Sequence, residues 1–315
     1  MNLRIFLLLA SLSTCVALAF TYLELPSRSL FWSAVQNSGH AFVFAGLALI
    51  FLWLFHAHLK RSLPFSVALA FAGLELLGFI IELAQHATGR GASISDVFMN
   101  TVGIVGGGSL YLAACLIRER RKVGQAIAAF ILSGACLAWS LQWPFLYLVS
   151  ATQRPHLPLL TDFEHLAAHL YVSGNGSTQS IAEHASWTAN GTQSLRVTFQ
   201  PGRWPNVAFL EPEANWSGYS QISFIGYNPQ ETPLVLSIRI DEQALGPLDD
   251  DRMTVKRTVP SGDFAVTIPF DEFRANAARR GRPGIATFER INGYVVFVAG
   301  VESTLVLYFD NFKLE

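Results

Sequence analysis

The sequence predicts a multi-domain protein: an all-α bundle of five transmembrane helices followed by an all-β jelly-roll sandwich. Three observations predict it. The 315 residues are 51% hydrophobic and 14% charged, with a mean hydropathy of +0.35, too apolar for one soluble domain of this size. The charge is divided: residues 1–160 carry 5 acids against 10 Lys and Arg, and residues 161–315 carry 18 against 12, so a +5 half precedes a −6 half. The apolar pattern changes with the charge, from long runs to short alternating segments. A disordered chain is excluded, and so is a disulfide-stapled module, because Cys15, Cys115 and Cys136 all lie in apolar runs of the first half. A small basic excess in apolar surroundings is a signature of membrane topology and not of nucleic-acid binding.

A hydrocarbon core of ~30 Å needs ~20 mostly apolar residues per helix. Residues 5–22, 41–58, 64–84, 97–117 and 126–150 qualify, each bounded by polar or basic residues. The first reads as a retained helix and not a removed signal. Apolar residues continue through Ala19 and Phe20 with no small-x-small cleavage site, and Thr14 fits poorly before Cys15 in a lipoprotein box. One set of short connections holds Arg4, Lys60, Arg61, Arg118, Arg120, Arg121 and Lys122; the opposite set holds Arg28, Arg90 and Arg154. The basic set faces the cytoplasm, together with the N-terminus. Five spans then put residues from about 152 onward outside, which would be the periplasm if the cell is Gram-negative. The expected domains are residues 1–152, a linker at 153–160, and residues 161–315, long enough to build a core without disulfides.

Ionisable residues inside membrane segments are costly and tend to mark function. In this topology His40 opens the second helix at its outer end, Glu82 and Gln85 close the third, and Asp96 and Asn100 open the fourth. Arg90 lies in the loop between. Glu82 and Gln85 are three apart and Asp96 and Asn100 four apart, so each pair shares a helix face, with Glu75 two turns deeper than Glu82. Such a group can hold an anionic headgroup through Arg90 and move a proton between His40 and a carboxylate. Singly, each has a structural reading: Asp96 as a helix cap, Arg90 in an ion pair, Asn100 as a bridge between helices. Together, six polar side chains at one depth exceed what caps require. Gly103 and Gly107 are spaced as GxxxG, the signature of close helix packing.

The stretches Asn37-Ser38-Gly39-His40, Glu82-Leu83-Ala84-Gln85, Gly89-Arg90 and Ser95-Asp96 with Asn100-Thr101-Val102-Gly103 resemble the VanZ-like family over roughly residues 36–118. That family is similar in its His at a helix start, E-x-x-Q pair, Arg, and D-x-x-x-N-x-x-G run. Many members carry an Asp-Lys pair shortly before the His, where Gln36-Asn37 stand here. The resemblance implies a cell-envelope membrane protein more than any reaction.

After Pro155 and Pro158 the pattern becomes short alternating strands at 194–199, 221–227, 233–240, 263–269, 290–298 and 303–309, separated by Gly, Pro, Asn and Asp. A short helix is expected at 271–280, stopped by Gly281 and Pro283, and a helical turn around Phe163 to Leu166. Phe163-Glu164, Gln193 to Val197, Asn215-Trp216-Ser217-Gly218-Tyr219 and Leu307 to Phe312 resemble the galactose-binding-like carbohydrate-binding jelly rolls. That resemblance implies a structural calcium held in part by Glu164 and Asp310, although a turn role suits Asp310 equally. Sugar binding uses aromatic faces framed by a few polar groups, which makes Trp187, Trp204, Trp216 and Tyr219 the candidates, with Tyr227 behind them. Core packing competes for each, most of all for Trp216. The Asp249-Asp250-Asp251 run reads as a solvated loop.

The expected function is a multi-pass envelope protein that recognises a lipid or lipid-linked headgroup at the outer leaflet and binds a glycan or partner through its outer sandwich. Two alternatives stand beside it: a plain anchor displaying a carbohydrate-binding module, and an enzyme on a lipid-linked substrate with His40 or Glu82 as acid–base. No reaction, and no cofactor beyond the implied calcium, follows from the residues.

Overall fold

A computed structural model describes residues 29–87, 94–118, 122–165, 168–183, 187–189, 191–242, 253–279 and 286–315, with Ser11, Cys15 and Val16. The chain divides into two compact units, residues 1–148 and 149–315.

The first unit is helical. Helix α1 spans Leu30–Leu52 and runs on as a π-helical segment, Trp53–His58; α2 spans Leu63–Ala87, α3 Ile94–Arg118, α4 Val123–Ser140 and α5 Gln142–Ala151. Among the described residues four helices are long and apolar enough to cross a membrane: Leu30–His58, Leu63–Ala87, Ile94–Arg118 and Val123–Ser140. The first predicted span, 5–22, lies almost wholly outside the described residues. The bundle is apolar outside and buries several polar residues within. Leu76, Phe79 and Leu83 are more than half exposed, whereas His40, Glu82 and Asn100 are buried. In water such a surface would aggregate; in lipid it is the solvated face.

Two predicted boundaries are corrected. Helix α1 begins at Leu30 and not at residue 41, so His40 lies about three turns inside it and does not open it. The run at 126–150 is two helices, broken at Leu141. Pro144 explains the break: it has no N–H to give the carbonyl four residues back, that of Ser140. That carbonyl instead accepts the Ser38 hydroxyl of α1 at 2.5 Å.

The GxxxG stripe sets the α1–α3 contact. A Cβ on Gly103 would meet the carbonyl oxygen of Ala41, and one on Gly107 that of Ala45. The two backbones therefore touch directly, as small-residue packing allows. Phe44, Leu47 and Ala48 of α1 close the apolar centre with Leu74 and Ile81 of α2 and Ile104 of α3.

The second unit is an antiparallel β-sandwich. Its strands are β1 Leu159–Thr161, β2 Val172–Asn175, β3 Ser177–Glu183, β4 Gln193–Phe199, β5 Asn206–Leu210, β6 Gln221–Asn228, β7 Leu234–Glu242, β8 Met253–Val259, β9 Gly262–Pro269, β10 Ile291–Val298 and β11 Leu305–Leu314. One sheet runs β3-β4-β11-β6-β9, with β1 also on β11; the other runs β2-β5-β10-β7-β8. Between them alternate residues of both sheets interdigitate, among them Val197, Phe224, Phe309, Ile238 and Val296. Helix α6, Phe270–Arg279, contributes Phe270 and Phe273 to this core. The expected turn near Phe163 is replaced by a left-handed residue there and a 3-10 turn at Ala168–Tyr171. Strands β1, β2, β3, β5 and β8 escape the sequence reading: β1, β2 and β5 have at most five residues, and β3 is rich in Ser, Thr and Gln.

Candidate functional site

In the helical unit the polar residues gather where α1, α2 and α3 meet. His40 and Asn100, 60 residues apart, share a buried 2.9 Å hydrogen bond in which ring Nδ1–H donates to amide Oδ1. Glu82 lies within electrostatic reach of His40. Glu82 and Gln85 are buried on the face of α2 that also holds Leu74, Gly78 and Ile81. Asn100 Nδ2 is buried without a hydrogen-bond partner among the described residues. Asp96 stands half-buried in the first turn of α3. Deeper, the Thr101 hydroxyl donates to Glu75 at 2.8 Å, tying α3 to α2. Arg90 lies outside the described residues. Of the six predicted residues, His40 and Asn100 are bonded to each other, with Glu82 close to the imidazole.

In the sandwich the predicted aromatics part company. Trp216 is fully buried, stacked near Phe270, and its indole N–H donates to the Glu213 carbonyl at 2.6 Å. A ring with no exposed face cannot receive a sugar, so Trp216 is a core residue. Trp204 is 53% exposed and packs edge-on against Phe297 of the β2-β5-β10-β7-β8 sheet. Tyr219 is half-buried against the core.

Trp187 is the one that lies on a prepared surface. Its ring is nearly parallel to Tyr227, 6.0 Å between centroids and 19° between planes, and also lies beside Tyr308. Its indole N–H donates to Asp263 at 2.7 Å. Strand register aligns these partners. Ser180 of β3 faces Arg196 of β4, Arg196 faces Tyr308 of β11, Tyr308 faces Tyr227 of β6, and Tyr227 faces Asp263 of β9. Directly opposed residues share a face. Their chain neighbours Leu195, Val197, Leu307, Phe309 and Phe264 are in the core, so this row occupies the outer face. The result is a band of three half-buried aromatic rings flanked by a guanidinium and a carboxylate. Tyr308, Arg196 and Asp263 were not expected from the sequence; their outward parity in alternating strands was visible there, but not who their neighbours would be.

The segment carrying Trp187 is fastened at both ends. The Ser194 hydroxyl donates to the Trp187 carbonyl at 2.5 Å, and Ala189 N–H to Asp310 at 3.2 Å. The Glu164 carboxylate accepts from Thr192 N–H, the Thr192 hydroxyl and Gln193 N–H at 2.7, 2.7 and 2.8 Å. Gly191, at φ +71°, makes the turn possible, because a Cβ there would meet the Glu164 carboxylate. Burial by itself raises the Glu164 pKa, but the hydrogen bonds of Thr192 and Gln193 overcome it and hold the carboxyl below its ordinary value.

The implied calcium needs oxygens turned toward one point. Here donor hydrogens point at both carboxylates: those of Thr192 and Gln193 at Glu164, and the N–H groups of Ala189 and Asn311 at Asp310. Thus arranged the two acids fasten backbone and do not fit the ion. Among the described residues no group of three His, Cys, Asp or Glu is placed to hold a metal.

The second unit also carries a half-open cavity of about 290 Å³ lined by Arg154, Tyr171, Phe209, Glu211 and Tyr294, among others. There Arg154 lies 3.4 Å over the Tyr171 ring and 3.7 Å from the Glu211 carboxylate, so its charge is met within the domain.

No family model and no curated protein matches the chain. Solved structures similar to it include the family 11 carbohydrate-binding module from Clostridium thermocellum in complex with a β-1,3-1,4-mixed-linked tetrasaccharide. That match has 18% identity and TM-score 0.38, over 51% of this chain and 96% of that one. A carbohydrate-binding module of family 28, specific for non-crystalline cellulose, matches at 15% identity and TM-score 0.36, over 51% and 96%. An exo-β-agarase matches at 14% and 0.40, over 50% of this chain and 24% of that one. At these values no ligand contact of theirs is carried over to this chain.

Proposed function

We propose that this is a multi-pass membrane protein whose C-terminal sandwich binds a glycan across the outer face of the β3-β4-β11-β6-β9 sheet. The observation that carries this is the cross-strand band of Tyr308 and Tyr227 with Trp187 fastened beside them, its ring nearly parallel to that of Tyr227. Aromatic faces cover the apolar side of a pyranose, and the polar groups at the edges fix its orientation. Fixing Trp187 in advance lowers the ordering penalty of binding. The excess of Lys and Arg in one set of loops supports putting the sandwich on the non-cytoplasmic side, where envelope glycans lie. The test is glycan retention by the full chain in detergent micelles. Trp187→Ala with Tyr227→Ala should abolish binding at unchanged melting temperature; undiminished binding refutes the site.

A second reading concerns the membrane half, and the buried amide of Asn100 favours it. A donor left without a partner at this depth is costly unless something supplies an acceptor. In this reading the VanZ-like half holds a lipid or lipid-linked headgroup against His40, Asn100 and Glu82. Asn100→Leu should then remove lipid co-purification while leaving insertion intact; unchanged lipid content counts against it. No reaction is assigned to either half.

A further inference from the structure

Four arginines of the sandwich are met by acids. Arg154, Arg239, Arg257 and Arg274 each lie within 4 Å of a carboxylate: Glu211, Asp241, Glu272 and Asp271. With 18 acids against 12 basic residues in the second half, partners are plentiful. Among the described residues Arg196, Arg203, Arg279 and Arg290 have no such partner; the last three are exposed, whereas Arg196 is half-buried. It sits in the middle of the sheet, on β4 between β3 and β11, half-buried on the outer face. Among the described residues no hydrogen bond or ion pair engages its guanidinium. Its cross-strand neighbours are the Ser180 hydroxyl side chain and the Tyr308 ring, neither of which neutralises it. Of the acids on this face, Asp310 of the adjacent β11 accepts the N–H groups of Ala189 and Asn311, and Asp263, three strands away or about 14 Å at ~4.8 Å per strand, is held by the Trp187 indole.

A planar cation with five donors, fixed beside an aromatic band and left without an acceptor, is complementary to a carboxylate. We propose that the glycan is acidic: a polymer of uronic acid units, one carboxylate of which is taken by Arg196 while neighbouring rings lie on Tyr308, Tyr227 and Trp187. The inference rests on the glycan reading above and specifies its ligand class. The −6 charge of the second half repels a polyanion at long range, so selection comes from this one contact and not from a positive field.

The test compares polygalacturonate with its fully methyl-esterified form, which has the same backbone without the charge, and with a neutral mixed-linked β-glucan. Each is titrated against the full chain in detergent micelles. The acid form should bind about 10-fold or more tighter than the ester, the scale of one charge-assisted pair. Arg196→Gln should erase that difference by weakening only the acid form. Arg196→Lys should restore part of it, since charge returns without the fork. Tyr227→Ala should weaken acid and ester alike. Equal binding of acid and ester by the unaltered chain, or a preference that survives Arg196→Gln, overturns the acidic-glycan inference. If the β-glucan is bound while no acid preference exists, only this inference falls. If none of the three polymers binds, the glycan reading falls with it.

Discussion

Gly107→Ala is the sharpest single test of how the membrane half is assembled. The added Cβ would meet the Ala45 carbonyl oxygen and stand 2.8 Å from Ala45 Cα and 2.9 Å from its carbonyl carbon. Carbon atoms rest about 3.5–4.0 Å apart, so α1 and α3 must separate by roughly 1 Å. Both backbones are on the contact, so no side chain can swing aside. The same displacement would stretch the 2.9 Å bond between His40 and Asn100 beyond hydrogen-bonding range. Overpacking of this kind costs about 1–3 kcal/mol, partly offset by up to ~1 kcal/mol from the better helix propensity of Ala. Two controls isolate the contact. Gly106→Ala, one position along, meets nothing closer than Cys136 Cβ at 3.4 Å, and Gly46→Ala meets nothing within 4 Å. The assay is reversible unfolding in mixed micelles. Gly107→Ala should be destabilised, Gly106→Ala close to neutral, and Gly46→Ala neutral or slightly more stable. Equal stability of Gly107→Ala and Gly46→Ala would refute the direct backbone contact and the helix arrangement built on it.

Three further expectations follow from particular contacts. A double-mutant cycle on His40→Ala and Asn100→Ala, read by the same unfolding assay, should give a coupling of about 0.6–1.7 kcal/mol, the range for hydrogen bonds between membrane helices; additive effects would mean the bond is absent. Because Glu164 is held below its ordinary pKa, its contribution is fully present above the unfolded value of ~4.3 and is lost as pH falls through the lower folded value. The melting-temperature gap between the native chain and Glu164→Gln should therefore narrow on acidification from pH 6 to pH 3, and a gap that widens would reverse the sign. Removing calcium with a chelator should leave the melting temperature unchanged, since Glu164 and Asp310 already accept hydrogen bonds from backbone; a fall of several degrees, restored by calcium, would reinstate the ion.

The sequence alone determined element type wherever period and length speak. Four of the five apolar runs became helices, the first lying almost wholly outside the described residues, and six alternating segments became strands of the sandwich, because both signals are local and depend only on how a residue's neighbours share its face. It also flagged His40, Glu82 and Asn100, since a polar side chain in an apolar run is conspicuous without any fold. It misplaced the start of α1, because polar residues such as Gln36 and Asn37 read as a loop when their burial is unseen. What only the tertiary structure decided was company. Period two says that Arg196, Tyr227 and Tyr308 point away from the core, but strand order and register alone make them adjacent. Core packing was the stronger expectation for Trp216, and it is sealed in the core, but that Trp187 lies on the outer face beside Tyr227 only the structure decided. The physical reason is the same in both halves: a residue's face is set by the few bonds around it, whereas its partners are set by which distant segments bury their apolar surface together.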